Sequence, residues 1–494
     1  MSEPTTNPAV PVTLLPGFVG TTLPTWVTTR LRNGLGGVCV FGSNIESSAQ
    51  LRALTDEIYT ANPRAIIAID EEGGDVTRLH YATGSPLPGN ALLGRIDDLD
   101  YTARTASRIG WDLRRVGVNL DFAPDVDVNS NPDNPVIGTR SFGATPSLVA
   151  AQTIGWTRGL QSAGVAACAK HFPGHGDTAQ DSHLALPIID RSLAELEERE
   201  LVPFVAAIDA GTKTIMSSHI MLPQLDPERP ATLSRRILQG LLRDQLGFTG
   251  VIVSDALDMA GASATIGIPE AAVRALDAGC DLLCIGSQTT DAEVEEIERA
   301  VLAAIDAGRL DAARVRGAAD RVLGLADELA EDRAALPVPG AGARDDELLD
   351  DDVARTTAAF DIRPGVADRI ARGGPVGLVR VETGTNVAIG TAPWGPSDEE
   401  SRSTPWLQTV TISPDHSAIP AVADGELVVV IGRDIHRHAF ARQVVDEIRA
   451  RATRVVVVDM GWPSDDREYA DIATFGASRL VGRALSAYFA GRSA

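Results

Sequence analysis

Residues 165–170 read Val-Ala-Ala-Cys-Ala-Lys, an apolar run that ends on a charged side chain. The same pattern, a short apolar run followed by a Gly-rich or polar tip and a longer amphipathic stretch, recurs up to about residue 330. Such runs, mostly rich in Val and Ile and hardly alternating, are typical of strands buried on both faces of a parallel sheet. The eight runs are Val12–Pro16, Gly37–Phe41, Ala65–Asp70, Val118–Pro124, Val165–Lys170, Thr214–Ser217, Val251–Ser254 and Asp281–Ile285.

The stretches between these runs predict helices. Ser234 has the residue type of an N-cap, and Gly247 suits the end of the same helix. The predicted helices are Tyr101–Val116, Ser147–Ala163, Leu193–Ala210, Ser234–Leu246 and Thr290–Ala307. Eight strands that alternate with helices favour a (β/α)8 TIM-like barrel over a doubly wound sheet, so the fold class is α/β.

A Pro- and Gly-rich stretch followed by acidic residues marks a boundary after the barrel. Beyond it, the sequence predicts three parallel strands (Val376–Val381, Leu427–Ile431, Val455–Asp459) and two helices (Phe440–Arg451, Ala477–Phe489). This pattern indicates a smaller α/β/α sandwich without a phosphate-loop or dinucleotide fingerprint. The predicted organisation is a catalytic barrel over residues 1–335, a linker over 336–354 and an accessory domain over 355–494.

Composition restricts the class of partner. The chain of 494 residues has 67 acidic and 44 basic residues, a net charge of −23. Such a surface repels phosphate backbones and anionic lipids, so we expect neither nucleic acid nor a membrane as the partner. No apolar run reaches the ~20 residues of a membrane span, and no export signal is evident at the start. Four cysteines do not make a disulfide framework, and three lie in apolar runs as expected of buried thiols. We therefore expect a soluble, cytoplasmic protein.

Reactive side chains concentrate at the C-terminal ends of the predicted strands. They are Asp70, Asp125, Asp127, Lys170, His171, His219 and Asp255. Active sites of (β/α)8 barrels are built from these strand ends. Ordinary loop starts would show a mixture of Ser, Asn and Gly, so this concentration of Asp, Lys and His predicts an active site.

The densest segment, residues 170–183, reads Lys-His-Phe-Pro-Gly-His-Gly-Asp-Thr-Ala-Gln-Asp-Ser-His. Asp181 and His183 are two residues apart in a loop, so the carboxylate can hydrogen-bond one imidazole nitrogen. That contact would set the tautomer and leave the other nitrogen for proton transfer. Asp255, at the end of its strand, can attack or stabilise a cationic carbon. Asp70 can bind hydroxyl groups, with Arg78 as a neighbouring donor, and Arg140 lies on a loop.

These motifs resemble those of glycoside hydrolase family 3, in particular its β-N-acetylglucosaminidase branch. The resemblance covers about residues 10–330 and rests on residues 170–183, 254–256 (Ser-Asp-Ala) and 70–74 (Asp-Glu-Glu-Gly-Gly). It implies a retaining mechanism through a covalent glycosyl-enzyme, with Asp255 as the nucleophile and the Asp181–His183 pair as the acid/base. The residues that it implies for binding the terminal sugar are Asp70, Arg78, Arg140, Lys170 and His171. His219 has weaker support as a residue lining the site, and Asp75 stands where relatives often carry a basic residue.

The predicted activity is that of an exo-β-N-acetylglucosaminidase which removes terminal, non-reducing, β-linked N-acetylglucosamine. The predicted substrates are cell-wall muropeptides, as in peptidoglycan recycling, or chitooligosaccharides, and no metal or organic cofactor is expected. A neutral imidazole repels an anion less than a Glu would, so phosphate is an alternative acceptor that would give a sugar 1-phosphate. Further alternatives are a β-glucosidase, a catalytically silent sugar-binding protein, and a metal-dependent barrel hydrolase with His171, His175, His183 and Asp181 as ligands.

Overall fold

The computed structural model describes residues 7–178, 186–338, 347–371, 376–384, 388–397, 406–416, 419 and 426–491. In its N-terminal half, eight parallel strands follow one another around a sheet in the order β1-β8-β7-β6-β5-β4-β3-β2. They are β1 (Leu14–Leu15), β2 (Gly37–Cys39), β3 (Ile66–Ile69), β4 (Leu120–Asp121), β5 (Ala166–Phe172), β6 (Thr214–Ser217), β7 (Val251–Ser254) and β8 (Leu282–Cys284). Backbone hydrogen bonds from Gly36 to Pro11 and from Cys39 to Pro16, each 3.0 Å long, join the edges β1 and β2. The predicted barrel and all eight of its strands are confirmed.

Helices connect the barrel strands, and the predicted ones are present with one correction. The helices are Ala9–Val12, Thr25–Arg32, Ser48–Ala61, Leu99–Arg115, Pro146–Gln161, Leu193–Glu198, Leu201–Asp209, the π-helix Arg236–Gln245, Ala260–Ser263, Ile268–Ala278, Asp291–Asp306 and Ala312–Ala335, with 3-10 turns at Gly42–Asn44 and Ala231–Leu233. The prediction of one helix over Leu193–Ala210 is wrong, because the helix ends before Arg199, whose φ is −133°. Pro203 would clash with the carbonyl four residues earlier in a continuous helix, whereas the first turn of a new helix accepts it.

The interior of the barrel is apolar. Side chains such as Leu15, Ile66, Phe122 and Val253 pack together there. All four cysteines are buried and free, in agreement with the expectation from the sequence. Because the eight strands are parallel, the charged residues that follow them lie at one end of the barrel.

The C-terminal half contains a second sheet, with strand order β11-β10-β12-β13-β14-β9. Its strands are β9 (Asp361–Ile362), β10 (Val376–Val381), β11 (Trp406–Ile412), β12 (Leu427–Gly432), β13 (Arg454–Asp459) and β14 (Ile472–Ala473). All neighbours are parallel except the edge pair β14 and β9. The three predicted strands are confirmed, and β9, β11 and β14 are additional.

Helices cover both faces of this second sheet. Along β12, Val429 and Ile431 belong to one apolar core while Val428 and Val430 belong to the other, as alternation along a strand requires. The helices of this half are Asp350–Ala359, Val366–Ala371, Ala439–Arg451 and Arg479–Ala490, with a 3-10 turn at Ile435–Arg437. This arrangement is the predicted α/β/α sandwich.

The chain forms two compact units that are not continuous in sequence. The first comprises Met1–Glu71, Leu99–Val128 and Ala144–Gly342, and the second comprises Glu72–Asp98, Asn129–Gly143 and Ala343–Ala494. Two segments that the sequence analysis assigned to the barrel, residues 72–98 and 129–143, thus belong to the second unit. They carry the helix Asn90–Ile96 and the 3-10 turn Gly138–Arg140, and Leu92 packs in the core of the sandwich. Among the residues described, every helix is too short or too polar to cross a bilayer.

Candidate active site

Lys170 and Asp70 form an ion pair at the C-terminal end of the barrel sheet. Lys170 lies within β5, and Asp70 directly follows β3. The Lys170 Nζ atom is 2.8 Å from Asp70 Oδ1, with the lysine side chain 2% exposed and the aspartate 23% exposed. The buried ammonium is therefore neutralised by a carboxylate that keeps access to solvent, and the pair offers both donors and acceptors for sugar hydroxyls.

Asp127 organises the loop that follows β5. Its Oδ2 atom is 2.8 Å from His171 Nδ1, and its Oδ1 atom accepts the backbone N–H of His175 at 2.6 Å. Burial alone would raise the pKa of Asp127, but the hydrogen bond from His171 and the charges of His171 and His175 lower it. Asp127 thus remains ionised and orients His171. His175 is a satisfied loop histidine, since its Nδ1 atom lies 2.9 Å from Thr178 Oγ1.

Asp255 follows β7 directly and is half-buried. Its Oδ1 atom accepts the backbone N–H of Ala256 at 2.8 Å. The carbonyl oxygen of Ala256 lies 3.0 Å from Nε2 of the buried His219. A carbonyl can only accept, so Nε2 carries the proton and His219 holds the peptide beside Asp255. His219 therefore contacts the strand end that bears the expected nucleophile.

Asp121 is a second buried carboxyl group near the Asp70–Lys170 pair. Its Oδ1 atom accepts the backbone N–H of Glu71 at 2.9 Å. Burial raises its pKa well above the ordinary value, and the charges of Glu71 and Asp70 act in the same direction, against the opposing effect of Lys170. Asp121 therefore holds its proton more tightly in the folded protein than in the unfolded chain.

The two arginines implied as sugar contacts belong to the second unit. Arg140 is buried and makes a bidentate ion pair with Glu72, with Nε–Oε2 at 3.0 Å and Nη2–Oε1 at 2.7 Å. Arg78 is half-buried and donates from Nη2 to the carbonyl of Ala388 at 2.9 Å. Asp75 accepts from Thr139 Oγ1 at 3.0 Å and from the backbone N–H of Ala477 at 2.8 Å. Its carboxylate joins three segments of this unit.

Asp181 and His183, the expected acid/base pair, lie outside the described residues. The alternative of a metal-dependent hydrolase also needs these two residues, as metal ligands. Its other two expected ligands, His171 and His175, each use Nδ1 in a hydrogen bond. Asp125, Asp127 and His171 do place three potential ligand atoms within 4.8 Å of one another. Asp127 Oδ2 and His171 Nδ1 are, however, bonded to each other, which favours a hydrogen-bonded array over a metal centre in this part of the chain.

Residues 25–325 match the family model described as the glycosyl hydrolase family 3 N-terminal domain. The chain belongs to glycoside hydrolase family 3. A family 3 β-N-acetylglucosaminidase from Paenibacillus sp. superposes with a TM-score of 0.86 at 30% identity, covering 99% of this chain and 97% of the other. The family resemblance read from the three motifs is confirmed.

Two curated relatives are similar over more than half of the chain. Beta-hexosaminidase A of Pseudoalteromonas piscicida is 34% identical over 345 residues, which cover 64% of this chain and 58% of that protein. A beta-hexosaminidase of Stenotrophomonas maltophilia is 39% identical over 280 residues, 55% of this chain and 82% of the relative. The chain thus spans less than two thirds of the first relative and most of the second.

Sequence reasoning missed the partners of several site residues. Asp127 was noted only as a polar residue after a strand, although it holds both His171 and His175. Glu72 was quoted only as part of the motif at 70–74, and its ion pair with Arg140, 68 positions away, had no sequence signal. His219 was noted as a strand-end residue, but its contact with Ala256 follows only from the neighbouring position of β6 and β7.

Proposed function

We propose that this chain is a retaining exo-β-N-acetylglucosaminidase that removes terminal, non-reducing, β-linked N-acetylglucosamine. The observation that carries the proposal is the position of Asp255 at the end of β7, on the barrel end to which β3 and β5 also bring Asp70, Lys170 and His171. The β-hexosaminidase relatives and the β-N-acetylglucosaminidase structure support the same activity.

In the proposed first step, a carboxylate oxygen of Asp255 attacks the anomeric carbon. The glycosidic C–O bond breaks, and the leaving oxygen takes the proton of His183. Asp181 would hold the imidazole and stabilise its charged form. A water molecule then gives a proton to His183 and attacks the same carbon, so the ester bond breaks and the Asp255 carboxylate is released.

Asp70, Lys170, His171, Arg78 and Arg140 are proposed to bind the terminal sugar. The ion pair between Lys170 and Asp70 holds both of these side chains in a defined orientation. The contact with Asp127 does the same for His171. Such preorganisation lowers the entropy that binding would otherwise cost. Phosphate remains the alternative acceptor, and a phosphate oxygen would then release the sugar as its 1-phosphate.

The proposed substrates are muropeptide fragments or chitooligosaccharides, and the proposed location is the cytoplasm. Free, buried thiols agree with a reducing compartment. A β-glucosidase is the second candidate activity, which a panel of aryl glycosides would separate from the first.

The nucleophile is tested by trapping with a 2-deoxy-2-fluoro sugar and mass mapping of the labelled peptide. We expect the adduct on Asp255 and a loss of turnover in Asp255→Ala. An adduct on another side chain would overturn the assignment. His183→Ala should retain most activity on substrates with good leaving groups and lose it on poor ones, because only the latter need a proton. Equal losses for all leaving groups would contradict the acid role of His183.

A further inference from the structure

A pocket of about 670 Å³ lies wholly within the second unit. This volume is typical of small-molecule sites. The strands β10 and β12 end at the pocket. The residues that follow them line it, Glu382–Gly384 after β10 and Arg433 after β12. The loop Gly390–Ser397 and Arg479, the first residue of the helix Arg479–Ala490, complete the lining.

The position of the pocket in the sheet is that of a binding crevice. From β10 the chain continues to β11 on one side, whereas from β12 it continues to β13 on the other. The order therefore reverses between β10 and β12, so the connections that leave their carboxyl ends run to opposite sides of the sheet. In open α/β sheets, ligands bind outside the carboxyl ends of the strands at such a switch point.

The described lining residues carry a net positive charge, although the chain has a net charge of −23. Arg380, Arg433 and Arg479 line it, and Glu382 is the one acidic residue among the lining residues described. Glu382 Oε2 accepts from the indole N–H of Trp394 at 3.2 Å. Arg380 and Arg433 both lie against the ring of Trp394, at 4.7 and 4.8 Å from its centroid. The pocket therefore favours an anion.

Arg433 is the most buried of the three arginines that line the pocket. The residue is only 7% exposed, and its Nε atom has no hydrogen-bond partner among the residues that the structure describes. Of the acidic groups near Arg433, Asp75 accepts from Thr139 and Ala477, and Asp434 accepts from the backbone N–H of Trp462 at 2.9 Å. A buried guanidinium N–H that lacks an acceptor is costly, and an oxyanion satisfies the planar fork with two parallel hydrogen bonds.

We propose that this pocket is a binding site for a small oxyanion, a carboxylate or phosphate group on a small molecule, with Arg433 as the main contact. None of the residues that line the pocket is assigned a catalytic role here. Arg380, which donates to the carbonyl of Pro396 at 2.6 Å, shapes the loop beside it, and Arg479 adds positive charge. The proposal concerns binding and does not depend on the glycosidase activity.

The test is isothermal titration calorimetry on the full chain with saturating N-acetylglucosamine present, so that the sugar site of the barrel is filled. Inorganic phosphate and N-acetylmuramate are titrated separately, which distinguishes a phosphate from a sugar carboxylate. We expect saturable binding of at least one probe, weakened about tenfold or more by Arg433→Gln, since hydrogen bonds to charged groups contribute about 1.5–3 kcal/mol.

The matched control is Arg451→Gln, which removes the same charge at an exposed position on the helix Ala439–Arg451 and should leave binding unchanged. If Arg433→Gln does not fold, Arg479→Gln replaces it, with the same expectation. Absence of saturable binding of both probes, or equal affinity in the wild type and the pocket variant, would overturn the proposal.

Discussion

The ammonium group of Lys170 lies 2.8 Å from the carboxylate of Asp70, which is 100 positions away in the sequence. The two residues share one end of the barrel because β3 and β5 are separated only by β4 in the sheet. Their burial is unequal, with the Lys170 side chain 2% exposed and that of Asp70 23% exposed. The cost of breaking the pair should therefore depend on which partner is removed.

Asp70→Asn should destabilise the protein by about 3 kcal/mol, because it removes the carboxylate that lies 2.8 Å from the buried ammonium of Lys170. Lys170→Met should cost less, since the remaining Asp70 carboxylate keeps contact with water. Urea denaturation of both variants and of the double variant measures this difference and the coupling energy. A greater loss for Lys170→Met than for Asp70→Asn would show that burial does not control the cost.

Asp127→Asn should lower kcat/KM by about 10- to 100-fold. The amide has nearly the same shape, but it lacks the charge that orients His171, and small misplacements of a site residue are costly. Steady-state kinetics on an aryl N-acetylglucosaminide measures the effect. The matched control is Asp56→Asn, which removes the same charge at a side chain that is 56% exposed. An Asp127→Asn variant as active as this control would contradict the positioning role.

His219→Phe should lower kcat about tenfold while KM stays close to that of the wild type. The substitution removes the hydrogen bond to the Ala256 carbonyl and so loosens the peptide next to Asp255, while the five residues proposed to bind the sugar are retained. His219→Gln, whose side-chain N–H can reach the same carbonyl, should restore much of the rate. If both variants were equally impaired, the hydrogen bond would not be the feature that matters.

Asp121→Asn should stabilise the protein at pH 7 relative to wild type, and less so near pH 4. The unfolded chain releases the Asp121 proton at about pH 4, whereas burial raises the pKa of Asp121 in the folded state. Wild-type stability should therefore fall as the pH rises from about 4 towards the folded pKa, whereas the amide of the variant has no proton to release. The amide oxygen can still accept the Glu71 N–H. Thermal unfolding at several pH values measures the difference, and a constant gap between the two proteins would refute it.

The fold was largely predictable, because the apolar runs and periodic patterns that indicate strands and helices involve neighbouring residues. The barrel strands were each visible as apolar runs, and the helix predicted over Leu193–Ala210 is interrupted only at Arg199 and Glu200, shortly before Pro203. In the second sheet, β9 and β14 are two residues long, too short for a periodic pattern. The residues of the site were predictable, since charged side chains follow the buried strands. The ion pairs and hydrogen bonds between these residues were not.

The sequence by itself determined the barrel, the sandwich and the identity of the strand-end residues, because hydrophobic periodicity and motif order are properties of neighbouring positions. Only the tertiary structure decided which groups meet: Lys170 with Asp70, His171 with Asp127, and Arg140 with Glu72. It also decided that residues 72–98 and 129–143 belong to the second unit. These contacts join positions that are distant in the chain, and they exist only once the sheets have formed and water has been excluded around the charges.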